Sequence, residues 1–321
     1  MLIYALPSAD TRDPDLVTFS LCLALLLDRI FGEPKHWHPL VGFGWLAQQI
    51  ESYLNSAVYG DAQRAVFGAT AWCVLVLPLP ALLVWADDTG PILNVLLLYL
   101  CLGYRSLQEH GMQVFRPLTD GNILDARKYT GYLVSRDTGA LDEPAMARAT
   151  VESVLENGHD AVVATLFWYC VGGAPFAVAH RLANTLDAMW GYRNAQYKVF
   201  GFFSAKMDDL MGWPSAKLTA CLYALQGNFW RCVNNAFHQG RQYKSLNGGW
   251  VIASGATALN VRLGGASLYF EQKHISPTLG GGKPSTAKDI PRSLALVRKS
   301  CFLWLLICAI TEGISYAASW W

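Results

Sequence analysis

Charge is what this chain has least of. Asp, Glu, Lys and Arg make up 15% of its 321 residues, where soluble domains carry about 25%. Against that, 53% of the residues are hydrophobic and the mean hydropathy is +0.23, a balance that favours lipid over water. The formal net charge is only +1, so no global field recruits nucleic acid or an anionic surface, and any anion must be held by a local site. Eight cysteines form no CxxC pair, and six of them (Cys22, Cys73, Cys101, Cys170, Cys301, Cys308) lie in or beside apolar stretches. They read as small hydrophobes rather than as metal or redox motifs. The N-terminus has no basic region and no small-residue cleavage site, and it turns acidic at Asp10, Asp13 and Asp15, so a removed signal peptide is not expected. No linker, charge block or low-complexity tract divides residues 1–321, which are treated as one integral membrane unit.

What the chain does have is long apolar runs. Ala65 to Ala86 is uncharged throughout and lies between Arg64 and Asp87-Asp88. It is long enough for a hydrocarbon core of roughly 30 Å. Residues 91–104 follow a turn-like Asp87-Asp88-Thr89-Gly90 and complete a helical hairpin. Residues 16–31, 161–179 and 301–321 are further candidates, and Trp85, Trp304, Trp320 and Trp321 sit where an indole can lie at headgroup level. The expected fold is all-α: a multi-pass helical membrane protein whose long polar helical connections carry the site. Four basic residues precede Arg105 and twenty-one lie from Arg105 to Lys299, which puts the polar regions on the cytoplasmic side. A plain span at 161–179 would separate them. Its Gly172-Gly173-Ala174-Pro175 break suggests a re-entrant or broken helix, tolerated where protein or a wet cavity surrounds it. A second crossing near Leu218 to Trp230 is the alternative.

The chemistry lies between these runs. Glu152, Glu156 and Asp160 recur at i, i+4 and i+8, a like-charge stripe in which each pair costs roughly 0.2 to 0.5 kcal/mol unless a cation compensates. A solvated face and a functional site are equally good readings of it. Asn184 and Asp187 share a helical face, with Arg193, Lys198 and Lys206 following. Asp208-Asp209 can supply hard oxygen ligands to magnesium, although an Asp pair more often caps or solvates. Glycine-rich turns at Ser245–Trp250 and Gly280–Lys283 could cradle phosphate, but neither is a P-loop. Lys35-His36-Trp37-His38-Pro39 reads as an interfacial loop rather than a metal site.

Taken in order, Asp28-Arg29 with Trp37-His38-Pro39, Val151-Glu152-Ser153 with Glu156-Asn157, Asn184-Thr185-Leu186-Asp187, Gly191-Tyr192-Arg193, Phe200-Gly201 and Asp208-Asp209 form a specific set. The chain resembles the adenosylcobinamide-phosphate synthase family of cobalamin biosynthesis, the CobD/CbiB type. Val261-Arg262-Leu263-Gly264-Gly265 and the Asp289 to Arg298 segment extend the likeness over nearly the whole chain. Leu246, Ile252 and Lys206 stand where the family pattern usually has proline, an acidic residue and arginine.

The resemblance implies a multi-pass inner-membrane ligase with its site on the cytoplasmic side. Such an enzyme joins aminopropanol or its phosphate to a carboxylate of the corrinoid adenosylcobyric acid, using ATP and magnesium. It implies Glu152, Asn157, Asn184 and Asp187 as catalytic residues. Arg136, Arg193, Lys206, Ser245, Asn247 and Gly248 would bind the cofactor, and Asp208 and Asp209 the metal. The implied partners are the corrinoid and the aminoalcohol, the lipid bilayer and other enzymes of the pathway, with no nucleic acid. Two other classes stay open: a non-catalytic relative that scaffolds or regulates corrinoid enzymes, and a transporter, which should show the inverted repeats that this sequence lacks.

Overall fold

The computed structural model describes residues 17–34, 38–86, 90–134, 137–269 and 272–320. The turn expected at Asp87-Asp88-Thr89, the acidic N-terminus, Leu16, Lys35-His36-Trp37, Arg136 and Trp321 lie outside the described residues. Thirteen α-helices account for most of the rest. They are α1 (Val17–Phe31), α2 (Pro39–Leu54), α3 (Asp61–Val76), α4 (Pro78–Trp85), α5 (Gly90–Cys101), α6 (Tyr104–Thr119), α7 (Ile123–Leu133), α8 (Glu143–Gly158), α9 (Ala164–Trp190), α10 (Phe202–Ala224), α11 (Phe229–His238), α12 (Leu246–Leu259) and α13 (Asp289–Ala318). Among the described residues, four helical stretches are long and apolar enough to cross a membrane: Asp61–Trp85, Gly90–Thr119, Glu143–Trp190 and Asp289–Ala318. The chain is an all-α membrane protein. No single helix runs through Leu218 to Trp230, because α10 ends at Ala224 and a separate helix starts at Phe229.

The sequence pattern does not announce the one sheet. Strand β1 (Val261–Tyr269) pairs antiparallel with β2 (Gln272–Gly280), and the two-residue β3 (Lys283–Pro284) lies parallel to β1. The register slips between Leu263 and Gly265, where Gly264 and Gly265 take φ of +76° and +87°. Only glycine adopts such a backbone without cost. A Cβ on Gly264 would also run into the carbonyl of Pro277. The double glycine is therefore a bulge, and it turns the Gly264 N–H out of the ladder toward α8.

The long stretch Glu143–Trp190 is not one straight helix. Asp142 caps α8 by accepting the Ala145 N–H at 2.9 Å. A π-turn at His159–Val163 then joins α8 to α9, and α9 breaks at Gly172 (φ −145°) and Gly173 (φ +70°, ψ −160°). Contacts with α10 show where the chain goes. Tyr223 donates to the Leu155 carbonyl at 3.1 Å, His159 Nε2 lies 2.9 Å from Ser215 Oγ, and Trp168 Nε1 donates to the Met211 carbonyl at 3.1 Å. The first arm thus lies against α10. Continued straight, the helix would carry Asn184 about 24 Å beyond Trp168. Asn184 instead donates to Asp208, less than one turn from Met211.

The chain bends back at Gly172-Gly173: Ala161 before the break and Arg181 beyond it both lie against Gly103, and the second arm meets α10 at Asn184–Asp208 and Trp190–Gly201. At about 1.5 Å per residue, the roughly twelve apolar residues before the break reach about 18 Å, well short of a bilayer core. The segment is a broken-helix hairpin, the alternative to a plain span that Gly172-Gly173-Ala174-Pro175 suggested. Its first arm packs Val162, Leu166 and Tyr169 into the larger apolar cluster, while Val178, Leu182, Leu186 and Trp190 of the second arm fill a separate cluster with Ala71, Trp72 and Phe200. At the break itself Val171 is exposed and Gly172 and Gly173 are half-buried, while Ala174 and Ala177 just beyond it are fully enclosed.

Candidate functional site

Reversal of α9 brings the two polar blocks together. Asn184 Nδ2 donates to Asp208 Oδ1 at 3.2 Å, and Arg181 Nη1 donates to Asn184 Oδ1 at 3.1 Å. Asp208 is half-buried on α10. Burial first, and then the charges of Asp160 and Asp187, hold its carboxyl well above the usual carboxylate range; the Asn184 bond opposes them only in part. Glu156 lies in the same field, with Asp160, Lys244, Glu152 and Asp187 as its charged neighbours. Four carboxylates from α8, the π-turn, α9 and α10 therefore converge. Asp209 projects on the adjacent side of α10, where Lys206 Nζ stands 3.6 Å from Oδ2.

The N-terminus of α12 closes the cluster. Ser245 caps it, its Oγ accepting the Gly248 N–H at 3.1 Å, and buried Asn247 donates to the Asp209 carbonyl at 2.8 Å. A Cβ on Gly248 would fall 2.6 Å from Glu156 Oε1, so only glycine lets this helix end approach the carboxylate. The approach is favourable because a helix N-terminus carries partial positive charge. Leu246 is the first residue of α12, the position where proline fits best in a helix, which accounts for the family preference there. Ile252 is fully buried in the same helix, where an ionised side chain would need a partner.

Other expected residues take supporting places. Glu152 accepts the Gly264 N–H at 2.6 Å and so anchors the β-bulge. Asn157 is exposed, and its amide is bonded to Ser153 one turn back, away from the acids. Arg193 is exposed in the loop between α9 and α10. Gly280–Lys283 caps β2 beside Gln239 and is not brought to the cluster. No group of three His, Cys, Asp or Glu side chains among the described residues is placed to cage a metal ion.

The π-turn supplies what the sequence reading did not select. Buried His159 bridges Ser215 to Asp160, its Nδ1 lying 2.6 Å from Asp160 Oδ1. Glu156 and Asp160 were visible in the sequence only as members of a like-charge stripe. Their repulsion in an isolated helix was the signal that they face something else.

This arrangement defines a class: a helical membrane protein with a half-buried acid cluster beside a broken-helix hairpin. The family model described as CobD/Cbib protein matches residues 21–297. A protein of Stutzerimonas stutzeri is 47% identical over 295 residues, covering 91% of this chain and 96% of its own length; one of Chromobacterium violaceum is 46% identical over 310 residues, covering 92% and 98%. One of Halalkalibacterium halodurans is 34% identical over 308 residues, covering 92% and 96%. All three are named "Cobalamin biosynthesis protein CobD". No solved structure matches significantly. The chain belongs to the CobD/CbiB family.

Proposed function

We propose that this chain acts in cobalamin biosynthesis as the ligase that forms adenosylcobinamide or its phosphate. It joins the amine of aminopropanol or aminopropanol phosphate to a carboxylate of adenosylcobyric acid, at the cost of ATP. The observation that carries this reading is the meeting of Glu156, Asp160, Asp187 and Asp208 with Asn184, the cations Lys206 and Lys244, and the α12 N-terminus beside the broken-helix hairpin. Carboxylate activation by a nucleotide needs donors and cations on phosphate oxygens, and amide formation needs an acceptor for the amine's proton. Lys206, Lys244 and the backbone N–H groups of α12 are suited to the first task. Asp187 and Glu156 are suited to the second.

Magnesium fits this donor set in a particular way. The described residues form no all-protein cage, but magnesium is commonly held by one or two carboxylates plus phosphate oxygens and water. Asp208 and Asp209 would hold it, and the charge crowding at Asp208 is what a cation relieves. When bound, the ion neutralises phosphate charge. On this reading the protein sits in the cell inner membrane with the acid cluster on the cytoplasmic side, where ATP is available.

The test is ATP-dependent coupling of aminopropanol phosphate to adenosylcobyric acid by purified protein in detergent, with magnesium supplied or chelated. Product that requires both ATP and magnesium supports the reading. A folded protein that forms no amide under any of these conditions refutes it.

A further inference from the structure

A second polar group adjoins the acid cluster and has no part in it so far. Glu33 and His38 come from the segment between α1 and α2, and Arg181 comes from the returning arm of α9. Around the point where a Cβ on Gly103 would sit, Glu33 Oε1 lies at 3.3 Å and Arg181 Nη2 at 3.8 Å, yet the two form no ion pair. Gly103 donates its N–H to the Ala161 carbonyl at 3.1 Å, which fixes this junction against the first arm of the hairpin.

Arg181 is under-used for a guanidinium in such a place. Among the described residues its side chain makes one hydrogen bond, from Nη1 to Asn184, and Nε is buried without a partner. A guanidinium presents five donors in a rigid fork, matched to the two oxygens of a carboxylate. His38 faces the same charges, those of Glu33 and Arg181. Its Nδ1 accepts the Leu40 N–H at 3.2 Å, which leaves the ring proton on Nε2. Burial holds its pKa below the usual histidine value, so it offers a donor without adding charge.

We propose that Arg181 binds the carboxylate of the acid substrate, with His38 as a further donor. Asn184, bonded at once to Arg181 and Asp208, keeps the guanidinium in register with the acid cluster. The charge balance selects a carboxylate over a phosphate here. Glu33 offsets part of the positive charge of Arg181, leaving a place for a singly charged anion. The phosphate-matching cations Lys206 and Lys244 stand among the acids of α10 and α8 instead. The inference rests on the amide-forming reading and names the group that holds its acid.

Two measurements on protein in detergent test it. The first is binding of adenosylcobyric acid, and of the same corrinoid with that carboxyl capped as a primary amide, without ATP. Wild type should prefer the free acid, and Arg181→Gln should lose the preference through an affinity loss of about tenfold to a hundredfold for the acid alone. Arg181→Lys, which keeps the charge and loses the fork, should fall between them and also serves if Arg181→Gln fails to fold. The second is steady-state coupling, where Arg181→Lys should raise KM for the acid and leave KM for the amine unchanged. An undiminished preference for the acid in either folded variant, or a KM effect on the amine phosphate instead, overturns the proposal. Absence of coupling in wild type would defeat the ligase reading, while the binding comparison would still decide the role of Arg181.

Discussion

Asp61–Trp85 and Ala164–Trp190 are both apolar and both contain proline, yet they meet their surroundings in opposite ways. In the first, 28% of the most apolar window is buried, and Val66, Val74, Leu77, Leu82 and Trp85 are exposed, as side chains facing lipid would be. In the stretch Glu143–Trp190 that contains the second, 56% of the window is buried, Ala164, Leu166, Ala174 and Ala177 are fully enclosed, and the backbone bends back at Gly172-Gly173. The difference follows from what each must satisfy. A chain that keeps helical dihedrals through its prolines, as at Leu77 (φ −76°, ψ −35°), closes most of its own hydrogen bonds and needs only lipid around it, whereas one broken at two glycines exposes more polar backbone and needs protein around it. Enclosure in turn lets the broken segment carry Asn184 and Asp187 on one arm against Glu156 and Asp160 before the other. On the proposed reading, Asp61–Trp85 anchors the protein in the membrane and the segment that bends back builds the site.

The largest expected effect is on chemistry at the reversing segment. Asp208→Asn should lower coupling about 100-fold, as loss of a metal-holding or neighbouring group does. Because it also removes a crowded negative charge, the detergent melting temperature should hold or rise. A folded variant with wild-type turnover would strip the cluster of its function. Next, Gly173→Ala places a side chain at φ +70°, ψ −160°, a conformation only glycine tolerates, and should cost about 1 to 3 kcal/mol of stability. A Pro78→Ala control in the crossing segment should cost much less, and equal losses would erase the contrast.

Gly248→Ala sharpens the comparison further. Its Cβ would press on Glu156 Oε1, so coupling should fall about tenfold, the equivalent of roughly 1.4 kcal/mol, with a small change in melting temperature. The smallest effect concerns pH. A carboxyl whose folded pKa is raised is most favourable to the fold at low pH, and that contribution is lost as pH rises through the raised value. With chelator present, the melting temperature should therefore fall as pH rises through the point at which Asp208 ionises. Magnesium should reduce the fall, and an identical pH dependence with and without magnesium would argue against a cation at this cluster.

Much of this was legible in the sequence. The uncharged run after Arg64 identified a membrane segment, and Gly172-Gly173-Ala174-Pro175 marked the break, because adjacent glycines and a proline cannot hold a straight helix at low cost. Asn184, Asp187, Asp208 and Asp209 were recognisable as a set, and the structure shows why their spacing works. Gly191 passes so close to Asp187 that a Cβ would displace its carboxylate, and Gly201 passes the Trp190 carbonyl in the same way. The hairpin β1–β2 was not legible, since Val261-Arg262-Leu263-Gly264-Gly265 shows a bulge only once its partner strand is known. Nor were Glu156, His159 and Asp160 distinguishable from a solvated stripe, because the π-turn that redirects the helix face leaves no periodic signal. Arg181 was hidden for a simpler reason: its partners Glu33 and His38 are distant in sequence and meet it only through the reversal.

That reversal is the central claim, and sided labelling tests it most directly. In a background with all eight cysteines replaced, single cysteines at exposed positions Asn157 and Arg193 flank the whole hairpin. In intact cells or right-side-out vesicles, a membrane-impermeant maleimide should leave both unmodified, and both should react when the cytoplasmic face is opened. Reaction of one from outside and the other from inside would mean that Ala164–Trp190 crosses the membrane, and the acid cluster described above could not form.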